Sequence, residues 1–207
     1  MGRKKGSSER WLREHERDAY VQRARREGRI ARSAYKLIQI DERDRLLRPG
    51  GRVVDLGAAP GGWSAYAAQR VGAKGLVLAL DRLPMEPLVG VEIVEGDFCD
   101  NAVAAALESQ AQGSIDLVMS DMAPNFSGTR AVDQPRAMEL AELALCFAES
   151  VLRENGDFLV KVFQGEGFDV LLREMRSRFK RVLTRKPDAS RARSRELYLL
   201  GREFRQS

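Results

Sequence analysis

Short apolar stretches alternate with stretches of helical spacing along most of this chain, and that alternation limits the fold more than any other feature. Arg52–Leu56, Leu76–Leu80, Val91–Val94, Ile115–Met119 and Asp157–Phe163 read as strands, as do Arg181–Thr184 and Leu197–Leu200 near the end. Ser33–Leu47, Trp63–Val71, Asn101–Gln112 and Pro135–Arg153 read as helices, and Phe168, Leu171, Leu172, Met175 and Phe179 give one more. Apolar strands separated by helices build a mostly parallel α/β sheet covered on both faces. In such sheets ligands bind at the carboxyl ends of the strands, near the switch in strand order. Residues just past the strand ends therefore carry the functional information.

The chain has 207 residues, 43% hydrophobic and 31% charged, enough to bury one such sheet but hardly a second full domain. No run approaches the ~18 uninterrupted apolar residues of a membrane span. The opening MGRKKGSSERWLREHER lacks the apolar region of a secretory signal, so secretion is not expected. Cys99 and Cys146 lie far apart and His15 is the single histidine, so neither a disulfide framework nor a Cys- or His-based metal site is expected. A reducing, cytoplasmic setting is the expectation, with no metal in the chemistry.

The net charge of +5 hides a division. Residues 1–35 hold 11 Lys/Arg against 5 Asp/Glu, and residues 173–195 hold 10 against 2, while residues 36–172 hold 12 against 21. Basic flanks around an acidic centre suit a polyanion gripped at the edges and different chemistry in the middle. Residues 1–30 read as a basic, flexible RNA-binding arm with one helical stretch and 31–207 as a single domain.

Asp55-Leu56-Gly57-Ala58-Ala59-Pro60-Gly61-Gly62-Trp63 follows the first strand. Small residues there admit a ligand close to the backbone. The segment is neither a G-x-G-x-x-G fingerprint nor a P-loop, and Pro60 removes an amide donor that a pyrophosphate would use. Asp81 ends the second strand where an acid holds ribose hydroxyls, and Asp97-Phe98 follows the third where a carboxylate meets an exocyclic amine. One such aspartate merely caps a turn. Acids after four successive strands point to S-adenosyl-L-methionine, which has a ribose, an adenine and a sulfonium but no phosphate.

Four further polar residues should meet. Lys161 interrupts the apolar strand 158–163, and a lysine in a covered strand needs a partner or an opening. Asp121 ends the neighbouring fourth strand. Glu196 begins the last strand, and would lie near Lys161 if that strand runs antiparallel beside the fifth. Lys36 sits on the polar flank of the helix before the first strand, where a solvated lysine is the more ordinary reading.

Ser33-Ala34-Tyr35-Lys36-Leu37, Val54 through Ser64, Ser120-Asp121-Met122-Ala123-Pro124-Asn125, Val160 through Phe168, and Lys186-Pro187-Asp188 through Glu196 together resemble the FtsJ/RrmJ-type ribosomal RNA ribose 2′-O-methyltransferases, in order and over essentially the whole length. The resemblance implies a Rossmann-like methyltransferase fold with a seven-stranded sheet whose last strand is antiparallel. It implies a Lys-Asp-Lys-Glu tetrad at Lys36, Asp121, Lys161 and Glu196, with Lys161 as proton acceptor. It implies S-adenosyl-L-methionine as methyl donor and S-adenosyl-L-homocysteine as product, held by Gly61, Trp63, Asp81, Asp97, Asp121, Asp55, Gly57, Ala58, Pro60 and Phe98. It further implies a uridine of the 23S ribosomal RNA A loop, in the large ribosomal subunit, as substrate. Arg32, Lys36, Arg191, Arg193 and Arg195 are the expected RNA contacts, with Trp11, Tyr20 and Tyr35 as candidates for stacking. Members vary at Phe126, and no function is assigned to it. A monomer is expected.

Three other readings compete. Transfer RNA or a messenger cap would keep the class and change the substrate. An amine-directed methyltransferase usually carries an Asn/Asp-Pro-Pro-Tyr-like turn after strand four, where this chain has Asp121-Met122-Ala123-Pro124. An assembly factor that binds RNA without catalysis would need neither the glycine turn nor the tetrad.

Overall fold

Val53, Val54 and Leu56 are each at most 1% exposed, so water reaches neither face of the first strand and it must run through the middle of a covered sheet. The computed structural model, which describes residues 18–112, 114–190 and 194–206, shows that sheet. Its strands are β1 (Arg52–Leu56), β2 (Leu76–Asp81), β3 (Glu92–Glu95), β4 (Ile115–Ser120), β5 (Leu152–Phe163), β6 (Phe179–Arg185) and β7 (Glu196–Phe204). The order across the sheet is β3-β2-β1-β4-β5-β7-β6. The first five strands are mutually parallel, and β7 runs antiparallel between β5 and β6. The expected Rossmann-like, seven-stranded architecture is present.

The helices are α1 (Ala19–Arg26), α2 (Ala34–Asp44), α3 (Gly62–Val71), α4 (Asn101–Ala111), α5 (Arg130–Val151) and α6 (Phe168–Arg178). One core lies between the sheet and α4, α5 and α6, and includes Leu107, Leu145 and Leu171. The other lies under α1, α2 and α3, and includes Ala24, Leu37, Ile40 and Ala67. Full burial of a side chain such as Leu37 or Ile40 contributes about 1.5–3 kcal/mol, which fixes α2 on the sheet.

The helical stretch expected within the amino-terminal arm is α1: Asp18 caps it by accepting from Tyr20 N at 2.9 Å, and Val21 and Ala24 are buried. Other boundaries differ from the sequence reading. α5 starts at Arg130 rather than Pro135, because Asp133 reaches back and holds the turn before the helix. Its carboxylate accepts from Ser127 N and Oγ, each at 2.8 Å, and from Gly128 N at 3.0 Å. β5 begins at Leu152 rather than Asp157, and its pairing with β4 shifts register between Ile115 and Leu117.

Candidate active site

Alternation along β5 and β7 decides which side chains share the face beneath α2. Lys161 is the register partner of Tyr198, and Phe163 of Glu196, so these four lie on one face. Asp121 follows β4, next to β5. Lys36 projects from the first turn of α2, whose Leu37 and Ile40 are anchored in the core.

The four expected residues meet. Lys161 Nζ lies 3.0 Å from Asp121 Oδ1 and also donates to the Asp121 backbone carbonyl. Lys36 Nζ lies 2.6 Å from Glu196 Oε1. Lys161 is only 8% exposed, so its charge has the partner that burial demands.

Tyr198, which sequence reasoning missed, joins the two ion pairs. Its hydroxyl donates to Asp121 Oδ1 at 2.8 Å and stands 3.4 Å from Glu196 Oε1, and its ring lies beneath Lys36 Nζ at 5.7 Å. Its position two residues after Glu196, hence on the same strand face, was the available signal. Ser190 was also missed as an individual contact: its hydroxyl donates to Glu196 Oε1 at 2.9 Å. Burial pushes the Asp121 carboxyl up, but Lys161, Lys36 and the Tyr198 hydroxyl outweigh it and hold the group below the usual aspartate value. Burial, then Asp121 and Glu196, raise the Tyr198 phenol well above its ordinary value, so it remains a donor.

A cleft of about 550 Å³ opens beside this cluster at the carboxyl ends of β1, β2, β3 and β4. Gly57, Asp81, Asp97, Phe98 and Asp121 line it. Asp81 is locked in place because Oδ2 accepts from Ala59 N at 2.9 Å and Oδ1 from Leu83 N at 2.8 Å. Asp97 Oδ1 accepts from Cys99 N at 3.0 Å, and Phe98 packs edge-on against Phe147. Gly57 has a positive φ of 77°, and a Cβ there would lie 2.7 Å from Met122 Cγ.

The other expected cofactor residues do not line this cleft. Asp55 is fully buried behind the glycine turn, with Oδ2 accepting from Ser64 Oγ at 2.5 Å and Oδ1 without a hydrogen-bond partner among the described residues. Ala58 and Gly61 are buried and Pro60 is exposed. A Cβ on Gly61, at φ 104°, would come 2.6 Å from Leu88 Cδ1. Trp63 is buried, donates from Nε1 to Ser33 O at 2.8 Å and packs on Tyr198 at 5.7 Å, so it supports the tetrad side.

The expected RNA contacts divide as well. Arg195 is exposed and Lys36 belongs to the ion-pair cluster. Arg32 is tied inward: its guanidinium pairs with Asp18 and donates to Ala189 O at 2.5 Å. Tyr35 is buried and packs against Tyr20, its hydroxyl donating to Glu27 Oε2 at 2.8 Å. Arg191, Arg193 and Trp11 lie outside the described residues.

Among the described residues, no group of His, Cys, Asp and Glu side chains is placed to hold a metal ion, and no helix is long and apolar enough to cross a membrane. A second cavity of about 550 Å³ lies at the amino ends of β1 and β4. Most of its charges are paired with one another, Arg153 with Asp116 at 2.6 Å, Arg181 with Glu203 at 2.6 Å and Arg202 with Asp157 at 3.3 Å.

The chain is 58% identical over 207 residues to the ribosomal RNA large subunit methyltransferase E of Alkalilimnicola ehrlichii, covering 99% of each. It is 59% identical over 200 residues to the protein of the same name from Azoarcus sp., covering 96% of this chain and 98% of that one. The crystal structure of a putative ribosomal RNA methyltransferase from Plasmodium falciparum superposes with a TM-score of 0.76 at 27% identity, covering 84% of this chain and 97% of the other. The FtsJ-like methyltransferase family matches residues 29–204, and with a buried lysine–aspartate pair beside an acid-lined cleft, the chain belongs to that family.

Proposed function

We propose that this protein transfers a methyl group from S-adenosyl-L-methionine to the ribose 2′-hydroxyl of a uridine in the A loop of 23S ribosomal RNA. In this reading it acts in the cytoplasm, as a monomer, on the large ribosomal subunit late in assembly. The observation that carries the reading is the Lys161–Asp121 pair at 3.0 Å, joined through Tyr198 to the Lys36–Glu196 pair at 2.6 Å, at the edge of the cleft. The relatives named for large-subunit ribosomal RNA methylation support the substrate class.

The cleft's donor set fits the cofactor. Asp81 is fixed where it can accept from ribose hydroxyls, Asp97 where it can accept from an amine, and Phe98 offers an apolar wall. When bound, S-adenosyl-L-methionine supplies an electrophilic methyl carbon.

The chain's own residues prepare the nucleophile. A hydroxyl attacks well only as its proton leaves, so an acceptor must stand beside it. Lys161 Nζ fills that role as the neutral amine: its two N–H groups donate to the Asp121 carboxylate and backbone carbonyl, and its lone pair takes the hydroxyl proton. Lys36, Glu196 and Tyr198 hold the ribose and fix Asp121, so that the reacting atoms meet in one geometry. Exposed Arg195 and the basic flanks attract RNA phosphates.

Nucleoside mass spectrometry of ribosomal RNA from cells lacking the protein tests this reading. Loss of one 2′-O-methyluridine from 23S RNA, restored by the intact protein but not by Lys161→Ala, is the expected result. Unchanged ribosomal RNA, with a methyl mark lost from transfer RNA, would overturn the substrate. Full cellular function of Lys161→Ala would favour a non-catalytic assembly factor.

A further inference from the structure

A smaller cavity, of about 280 Å³, lies next to the cofactor cleft, past the ends of β5 and β7 that carry the tetrad. Met122, Pro124 and Asn125 line the cleft, whereas Phe126 and Gly128 of the same segment line this pocket with Arg130, Gln134, Phe163 and Arg195. Phe163 shares a strand face with Lys161 and is paired in register with Glu196, and Arg195 immediately precedes Glu196. The pocket therefore adjoins the strand ends that carry Lys161 and Glu196.

The pocket is built. Phe126 is 57% exposed, yet its ring is set edge-on against Phe163 at 5.5 Å and 83°. Consecutive buried residues at the start of α5 pin the two walls. Asp133 holds the Ser127–Gly128 turn beside Phe126 by three hydrogen bonds. Gln134 donates from Nε2 to Phe163 O and to Glu166 O, each at 3.0 Å. With both amide protons used on the backbone, only its oxygen remains to meet a ligand, as an acceptor. Two buried polar side chains thus hold an aromatic face open to solvent, with exposed arginines on its rim.

We propose that this pocket takes the base of the nucleotide whose ribose reaches Lys161, with Phe126 as the stacking platform. The inference rests on the ribose-methylation reading and adds a specificity-determining residue to it. A flat π-face, an amide acceptor and nearby cations suit a nucleobase on a phosphate chain. The volume falls just below the ~300 Å³ lower bound of ordinary ligand pockets, which suits a single base rather than a whole cofactor.

The test compares wild type, Phe126→Ala and Phe126→Tyr on a 23S ribosomal RNA fragment carrying the A loop, and on the same fragment made abasic at the target nucleotide. Loss of a base–aromatic stack predicts a fall in kcat/KM of roughly 10- to 100-fold for Phe126→Ala, with Phe126→Tyr close to wild type. Calorimetric affinity for S-adenosyl-L-methionine should be the same in all three. On the abasic fragment, wild type should fall to the level of Phe126→Ala, and Phe126→Ala should lose nothing further, because base and ring act as one pair. Equal losses of wild type and Phe126→Ala on the abasic fragment, or a Phe126→Ala rate within twofold of wild type, would overturn the pocket. Failure of wild type to methylate any RNA, assembled large ribosomal subunits included, would instead strike the underlying function. Equilibrium affinity for the fragment then decides the pocket: weaker binding by Phe126→Ala alone upholds it, and equal binding overturns it.

Discussion

Lys161 and Tyr198 face each other across the β5–β7 ladder and converge on a single oxygen, Asp121 Oδ1, at 3.0 and 2.8 Å. The carboxylate is satisfied by a cation from one strand and a hydroxyl from the next. This convergence makes the cluster a unit in which removing any one donor leaves buried charge behind.

Removing the hydroxyl alone is the mildest test of that unit. Tyr198→Phe keeps the ring that packs on Trp63 but withdraws the donor from Asp121. A loss of about 1.5–3 kcal/mol of stability is expected, the range for hydrogen bonds to charged groups. Urea unfolding measures it. Single-turnover methyl transfer should slow, though less than in Lys161→Ala, and an unchanged rate would show that Tyr198 does not position Asp121.

Removing the cation is harsher. Lys161→Met leaves Asp121 in the interior without its nearest positive partner, which should cost about 3–5 kcal/mol. The pH dependence of the single-turnover rate then separates two roles for the ammonium. A rise with pH to a plateau that disappears in both Lys161→Met and Lys161→Arg fits a proton acceptor. A rise that survives in Lys161→Arg points instead to a charged group steadying the developing oxyanion, with water taking the proton.

Asp55 provides a pH prediction independent of the tetrad. Burial, with Asp121 and Asp81 adding to it against the Ser64 hydroxyl, pushes its carboxyl up to about 7. A carboxyl whose folded pKa exceeds its unfolded one favours the folded state when protonated. The associated stability is complete below the unfolded value of about 4 and is lost as pH rises to about 7, by up to about 1.4 kcal/mol per pH unit. Without cofactor, the difference in urea midpoint between Asp55→Asn and wild type should therefore shift in favour of the variant from pH 4 to pH 7 and level off above. A constant difference across that range would show that Asp55 is ionised throughout.

Arg32 and α1 give a prediction about the amino-terminal segment. Arg32 joins Asp18, the cap of α1, to Ala189 O, next to the Ser190 that holds Glu196. Deleting residues 1–30 should therefore lower thermal stability and raise hydrogen exchange around Ala189, in addition to weakening RNA binding. Deleting only residues 1–17 should weaken RNA binding and reduce its salt dependence, and should lower the melting temperature less than deleting residues 1–30. Equal melting temperatures for the two truncations would show that α1 adds nothing to the domain.

The parts of the fold that periodicity controls were legible in the sequence. The alternation of elements, the covered faces of β1 and the meeting of Lys161 with Asp121 follow from apolar runs, their acid-terminated ends and the rule that ligands lie past the strands, while the antiparallel last strand followed from the family resemblance and the full strand order from the structure alone. Tyr198 was not legible as a site residue because tyrosine in an apolar strand is ordinary core. Only the pairing of 161 with 198 shows its hydroxyl reaching two carboxylates. Arg32 looked like an RNA contact because its charge is visible in the sequence and its partners, 14 and 157 residues away, are not. The start of α5 was misplaced because proline favours a first helical turn, while Asp133 caps the preceding loop from inside the helix.

Gly57 ties the loop after β1 to the loop after β4, since even one added methyl group would intrude on Met122. The two segments consequently behave as matched parts: a swap of either one from a distant relative should fail by itself and succeed when its counterpart travels with it.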